Sequence, residues 1–293
     1  MSDYMVRAIA AGGNVRAFAA RTTGAVEEAR RRHDTWPTAT AALGRALTGT
    51  LLLSATLKDR NESVTLRVEG DGPLGGITCD ADEQGNGRGY VRNPHVDLAL
   101  NAQGKLDVGG AVGKGYLHVT RQLALEGTYT GTSELISGEL GEDLAYYLTK
   151  SEQTPSAVAL GVRVGPNGSA VAAGGYMIQL LPATSEAERE QLEANIRAMT
   201  AVSLALEEGM TPEQILGSVL AGLDYKILEK RELRFACRCS RERALGALIS
   251  LPQEDLEAMI AEGKDGELTC QFCGEVYQFT IPELMAERQR KNE

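Results

Sequence analysis

Phe235-Ala236-Cys237-Arg238-Cys239-Ser240 and Cys270-Gln271-Phe272-Cys273 carry four of the chain's five cysteines, with thirty residues between Cys239 and Cys270. Each half has its own geometry. In an extended segment residues two apart point to one face, so Cys237 and Cys239 aim together. In Cys270-x-x-Cys273 the chain has to turn to converge its thiols, and Gly274 can take the positive φ that such a turn needs. Four thiolates brought together suit a tetrahedral Zn2+ with no open position, which is a structural site by ligand count. No histidine competes, since His33, His95 and His118 all lie far upstream. In a reducing compartment such a cluster more often binds metal than forms permanent disulfides. Cys79 stands apart on an expected strand, where a buried, inert thiol is the default.

The region around the cluster, 232–293, is expected to be a small domain of short helices, the last one capped by Thr280-x-x-Glu283. A segment that short has a marginal core, so an inert zinc staple is a sufficient reason for the cysteines. A redox switch is the other reading. A Zn(Cys)4 centre is formally dianionic, and Arg234, Arg238, Arg241 and Arg243 around the first pair are expected to offset part of that charge. Positive neighbours favour the thiolate, the form that peroxide attacks. Structural zinc contributes about 10–16 kcal/mol in zinc-finger peptides. Oxidation that ejects the metal would therefore unfold the domain and loosen whatever precedes it.

Upstream, residues 1–182 read as an α+β domain of mixed sheet and helix. Strands at 3–11 and 15–21 flank Gly12-Gly13-Asn14 as a hairpin. Helices are expected at 23–33, from Pro37 to about Lys58, and at 139–150. Further strands are expected at 63–68, 77–80, 89–92, 127–136, 157–164 and 169–181, with Gly165-Pro166-Asn167-Gly168 as the last turn. Strands and helices that do not alternate strictly favour α+β. Residues 183–231 then read as a helical linker of two helices. The first opens on the capping box Ser185-x-x-Glu188, carries Leu192, Ile196, Met199, Val202 and Leu206 on one face, and ends at Gly209. The second opens on Thr211-Pro212-Glu213-Gln214 and carries Ile215, Leu216, Val219, Leu220 and Leu223. The first stripe is expected to pack on the N-terminal domain at rest and, when released, to bind something else.

Composition narrows the function. The chain has 293 residues, a net charge of −10 and 43% hydrophobic residues. Residues 232–293 hold 8 Lys and Arg against 12 Asp and Glu. That sign is wrong for a nucleic-acid partner. The longest apolar-looking stretch, Ala46 to Leu57, falls short of the roughly 20 residues a membrane span needs. With no signal-peptide pattern at Met1 to Gly12 either, a cytoplasmic protein is expected. Gly70-Asp71-Gly72-Pro73-Leu74-Gly75 matches a dinucleotide fingerprint, but Pro73 forbids the helix that would have to start there, so a turn is expected. Gly109 to Gly115 is a near-miss phosphate loop, with Val108 in place of the first Gly and Gly115 in place of the Ser/Thr, and reads as a glycine-rich loop. No nucleophile elbow is present. An enzymatic alternative remains, a thiol–disulfide oxidoreductase using Cys270 and Cys273. Such enzymes, however, usually present one C-x-x-C near a βαβ unit without a second pair beside it.

The two cysteine pairs, their spacing and their surroundings resemble the heat shock protein 33 family, bacterial redox-regulated holdase chaperones. The likeness covers the whole chain. His33-Asp34-Thr35-Trp36-Pro37-Thr38-Ala39-Thr40-Ala41-Ala42-Leu43-Gly44-Arg45 is similar to the family's early helix. Ser151-Glu152-Gln153 and Ala173-Gly174-Gly175-Tyr176-Met177-Ile178-Gln179-Leu180-Leu181-Pro182 are similar to its later segments. The resemblance implies a compact N-terminal domain, a helical linker and a C-terminal zinc domain, and a non-enzymatic, ATP-independent chaperone that is inactive when reduced and zinc-bound. It implies disulfides Cys237–Cys239 and Cys270–Cys273 on oxidation, zinc release, unfolding of the zinc domain and linker, a homodimer, and binding of unfolded client proteins that pass to ATP-dependent chaperones.

Overall fold

The computed structural model describes residues 2–125, 127–252, 254, 255, 258, 259, 262, 263 and 265–292. The chain divides into two compact units, Met1–Ala236 and Cys237–Glu293.

The first unit is built on two sheets with a buried helix between them. Strands β1 (Tyr4–Ala10) and β2 (Val15–Arg21) form the expected hairpin, and α1 (Thr23–His33) and α2 (Pro37–Ser54) follow. Then come β3 (Ser63–Gly70), β4 (Ile77–Asp82), β5 (Asn86–Val91), the short α3 (Val108–Val112), β6 (Gly115–Leu123) and β7 (Gly127–Glu134). Helix α4 (Gly141–Lys150), β8 (Ser156–Val164) and β9 (Ala170–Leu180) lead into α5 (Glu186–Ala198), α6 (Val202–Glu207), α7 (Pro212–Val219), β10 (Tyr225–Glu232) and β11 (Arg234–Phe235). One sheet has the order β10-β1-β2-β9-β8 and the other β11-β5-β4-β3-β6-β7.

Helix α2 packs against strands of both sheets, and every residue in it except Pro37 and Arg45 is buried. Its sequence of Ala, Gly, Thr and Leu follows from that position. Small residues let two sheets approach one helix, and each buried hydroxyl has a partner: Thr48 and Thr50 donate to the carbonyls of Gly44 and Ala46 at 2.8 and 2.7 Å. Gly44 marks the tightest approach. A Cβ there would stand 2.6 Å from Val26 Cγ1 and 2.8 Å from Val162 Cγ2. Gly44→Val should therefore destabilise the first unit by about 1–3 kcal/mol through overpacking, read as a lower urea midpoint at unchanged slope.

Strands β1, β2 and β9 of the five-stranded sheet are largely buried on both faces, while its edge strand β10 is exposed. Met5 and Phe18 face the α2 core, whereas Tyr4, Val6, Ala8, Ala17 and Ala19 face a second apolar cluster. That second cluster is closed by Leu192, Val202, Leu206, Ile215, Leu216, Val219 and Leu220, with Ile196 and Met199 packed at its margin.

Four expectations need correction. The stripe 192–206 does not lie on one helix. The chain is extended at Met199 (φ −70°, ψ 131°) and restarts as α6, so two short helices cover the twisted sheet where one straight helix was expected. Residues 183–231 are not wholly helical either, because β10 adds an edge strand to β1 from Tyr225 on. Helix α2 ends at Ser54, not near Lys58, its last turn closed by hydrogen bonds from Ala55, Thr56 and Leu57 to Leu52, Leu53 and Ser54. The glycine-rich stretch at 109–115 begins inside α3, whose cap Asp107 accepts from Gly110 N–H at 2.9 Å. The 70–75 segment is a turn as expected, with Gly72 and Leu74 donating to Val112 and Ala111 carbonyls.

The second unit contains α8 (Arg241–Leu248), an antiparallel hairpin of β12 (Gly266–Thr269) and β13 (Val276–Phe279), and α9 (Ile281–Asn292). The hairpin was not expected. A further expected helix falls partly on residues outside those described. Among the described residues the core is only Ala244, Leu248, Phe279 and Leu284, with five half-buried apolar neighbours. The expected cap is present, since Glu283 accepts from Thr280 N–H and Oγ1 at 2.8 and 3.0 Å.

Candidate metal centre

The hairpin of the second unit is the frame of the site. β12 delivers Cys270, a tight turn carries Cys273, and β13 returns. Within the turn Cys273 and Gly274 donate to the Cys270 carbonyl at 3.3 and 2.8 Å, and Cys270 N–H donates to Glu275. Gly274 has φ +71°, the conformation its position in the sequence called for. Cys237 and Cys239 lie on the segment that leads into α8, whose cap Ser240 accepts from Arg243 N–H.

The four sulfurs converge. Cys237 Sγ stands 3.7 Å from Cys270 Sγ, Cys239 Sγ 3.4 Å from Cys273 Sγ, and all four lie within 4.8 Å of one another. Ligands about 2.3 Å from a tetrahedral zinc stand roughly 3.8 Å apart, so this donor set fits the ion in number, chemistry and spacing. None of the five cysteines is joined in a disulfide. The two close contacts each join one residue of the first pair to one of the second, so these distances do not single out the pairing Cys237–Cys239 and Cys270–Cys273.

The thiols are crowded and half-buried, and Cys273 is buried. Burial first, and the neighbouring sulfur of Cys237 after it, hold the Cys270 thiol above its ordinary range. Cys273 is pushed up by burial, with its contacts to Cys239, Cys270 and Cys237 acting the same way. A divalent cation at the centre would make four mutually repelling thiolates compatible. Three of the four nearby arginines have other partners. Arg241 pairs with Glu283 at 2.7 Å and lies over the Phe279 ring, Arg243 donates to the Arg238 carbonyl at 2.6 Å, and Arg234 donates to Asn86 Oδ1 at 2.6 Å. A residue the sequence did not point to does touch the site: Tyr277 Oη donates to Cys239 Sγ at 3.2 Å. Its place on β13 follows only from the hairpin.

Cys79 is a separate matter. It sits on β4 with 0% exposure, close against Gly89, and burial pushes its thiol up. Alkylation of the metal-stripped chain, its first unit still folded, should modify Cys237, Cys239, Cys270 and Cys273 and miss Cys79 until the first unit unfolds. Peptide mass mapping reads this directly. The linker residues Leu192, Ile196, Met199, Val202 and Leu206 are buried or half-buried against the five-stranded sheet. No described helix is long and apolar enough to cross a membrane.

The Hsp33 protein family profile matches residues 3–280. A 33 kDa chaperonin of Symbiobacterium thermophilum is 69% identical over 285 residues, covering 97% of each chain. One of Desulforamulus reducens is 49% identical over 284 residues, covering 97% of this chain and 96% of that one. The crystal structure of the 33 kDa chaperonin (heat shock protein 33 homolog) of Thermotoga maritima superposes with a TM-score of 0.92 at 36% identity, covering 100% of this chain and 99% of that chain. Profile, relatives and superposition agree over nearly the full length, and the chain belongs to the Hsp33 family.

Proposed function

We propose that this chain is a cytoplasmic, ATP-independent holdase chaperone whose activity is gated by the redox state of its four clustered cysteines. The observation that carries the reading is the convergence of Cys237, Cys239, Cys270 and Cys273 in a unit with a very small apolar core. In this reading residues 1–182 are the core domain, 183–231 the linker and 232–293 the switch. The reduced, resting chain holds one Zn2+ through the four thiolates, and the ion supplies the cross-link that the small core does not.

Activation is oxidation of the ligands. Two molecules of peroxide take four electrons from four thiolates. Two S–S bonds form, within Cys237/Cys239 and within Cys270/Cys273, and with four protons the peroxide leaves as four waters. Disulfide sulfurs no longer hold the metal, which is released. The second unit then loses its main cross-link, and the linker, continuous with it through β10 and β11, loosens. The stripe of Leu192, Ile196, Met199, Val202 and Leu206 becomes available to unfolded clients, the chain dimerises, and clients are handed to ATP-dependent chaperones. The family relationship supports this sequence of events. The acidic charge supports solubility of the complexes and argues against a nucleic-acid partner.

The test is light scattering from a heat-unfolding client, with reduced zinc-bound and peroxide-treated chain at equal concentration. Suppression only after oxidation is expected. Equal suppression by both forms would leave an ungated chaperone with a zinc staple, and suppression by neither would remove the holdase reading.

A further inference from the structure

The two large sheets present four edges, and three of them are closed by devices that natural sheets use against unwanted strand pairing. β10 carries Lys226, Glu229, Lys230, Arg231 and Glu232 and meets β1 across a bulge at Arg7/Ala8. β8 has a bulge at Arg163/Val164, and the start of α4 lies against its backbone: a Cβ on Gly141 would stand 3.3 Å from Val158 O and 3.5 Å from Leu160 N. β11 is only two residues long. β7 is the least protected, with one charge, Glu134, at its end. Gly127-Thr128-Tyr129-Thr130-Gly131-Thr132-Ser133-Glu134 contains no Lys, Arg or Pro, and it pairs with β6 without a bulge.

Which backbone groups face outward follows from one hydrogen bond. Leu135 N–H donates to Gly115 O at 2.8 Å, one step beyond the β6–β7 register. Counting back by twos, Ser133, Gly131 and Tyr129 turn their N–H and C=O to β6, while Thr128, Thr130, Thr132 and Glu134 turn theirs away. All four outward residues are exposed, and no described strand pairs with them. Three of the four side chains above the edge are neutral threonines, with Glu134 at the end: Thr130 is hydrogen-bonded to Thr120 and Thr132 to His118, each at 2.9 Å.

We propose that the open edge of β7 takes up an extended segment of an unfolded client protein as an added strand. The inference rests on the chaperone reading and deepens it by naming a second foothold. A row of N–H and C=O groups at strand spacing is matched by another extended peptide. Every polypeptide offers that backbone whatever its side chains, so recognition here is independent of sequence. Neutral β-branched threonines tolerate client residues of either charge and fit a pleated surface. Four outward residues make a short ladder, weak alone, which gains strength when the same client also rests on a released apolar stripe.

Amide exchange of the oxidised chain, followed by NMR with and without reduced, carboxymethylated α-lactalbumin, tests this. The unfolded probe should slow exchange at Thr128, Thr130, Thr132 and Glu134 at least tenfold, while Tyr129, Gly131 and Ser133 change little. Thr130→Pro deletes one outward N–H and spares the ladder to β6, so it should weaken probe binding several-fold. The exchange measurement on the unaltered chain decides the matter even if that variant folds poorly. Probe that binds without slowing these four amides overturns the edge and leaves the chaperone reading intact. Probe that does not bind the oxidised chain at all sinks the chaperone reading first. Slowing on oxidation alone, with a dimer mass and no probe, shows the edge pairing with a second copy and overturns the proposal.

Discussion

Replacing Cys273 by serine should unfold Cys237–Glu293, loosen the linker before it and leave residues 1–182 folded. Cys273 is 3% exposed, and the described residues around it bury only Ala244, Leu248, Phe279 and Leu284 fully. A core of that size cannot supply more than a few kcal/mol. A structural zinc in a small domain contributes about 10–16 kcal/mol, and loss of one of four thiolates removes much of it. Serine adds a second cost, because its hydroxyl is a poor ligand at neutral pH and sits buried beside three sulfurs. The ion pair of Arg241 with Glu283 is half-exposed and contributes too little to compensate. The expected amide NMR spectrum keeps dispersed signals through residue 182 and shows collapsed ones beyond Ala236, with bound zinc falling from one per chain to near zero. A variant that retains zinc and a dispersed second unit would mean that three thiolates and the hairpin suffice, and the proposed gate would lose its physical basis. The α2 core of the first unit draws nothing from the linker or the second unit, so exchange protection of the α2 amides should not change.

The metal centre was legible in the sequence because its chemistry is local. Two cysteine pairs and Gly274 specify two knuckles whatever the rest of the chain does, and the structure brings those four sulfurs together. The β1–β2 hairpin and α1 were legible for the same reason, since a glycine turn and short-range periodicity define them. What failed was set by distant parts of the chain. β6 alternates buried Leu117 and Val119 with Tyr116, His118 and Thr120, yet the glycines before it drew the reading towards a loop. The β12–β13 hairpin was hidden because its strands are four residues each and its turn is the cysteine knuckle itself. The break at Met199 has no glycine or proline to announce it. Three- and four-residue spacing fits one helix or two equally well, and the sheet beneath decides. Tyr277 was beyond reach because its contact with Cys239 spans thirty-eight positions.

Leu216→Asp should make the reduced chain hold clients without oxidation. Leu216 lies on α7 with 0% exposure, flanked by Ile215, Val219 and Leu220 against the five-stranded sheet. The cluster around it is apolar, so a carboxylate there costs several kcal/mol. The chain escapes by lifting α7 off the sheet. Polar contacts oppose that: Tyr4 Oη to Glu213 at 2.7 Å, Arg21 to the Met210 carbonyl at 2.9 Å, Asn195 to the carbonyls of Val219 and Ala221 at 2.9 and 2.8 Å, and the ion pair of Lys230 with Glu213 at 3.5 Å. Hydrogen bonds of this kind contribute about 1 kcal/mol each, and the first two leave groups that water can satisfy once the helix departs. Release of α7 uncovers the sheet face of Val6, Ala17 and Ile178 and frees the stripe that α5 and α6 carry. The zinc-bound, reduced variant should then suppress client aggregation nearly as well as the oxidised parent, and trypsin should cut at Arg189 and Arg197 first. Ser218→Asp places the same charge on the exposed face of the same helix and should change neither property. Exchange protection of α2 amides shows whether the first unit itself survives. If it survives, α7 is free and the reduced variant still fails to hold clients, then the linker stripe is packing alone and the client surface lies elsewhere.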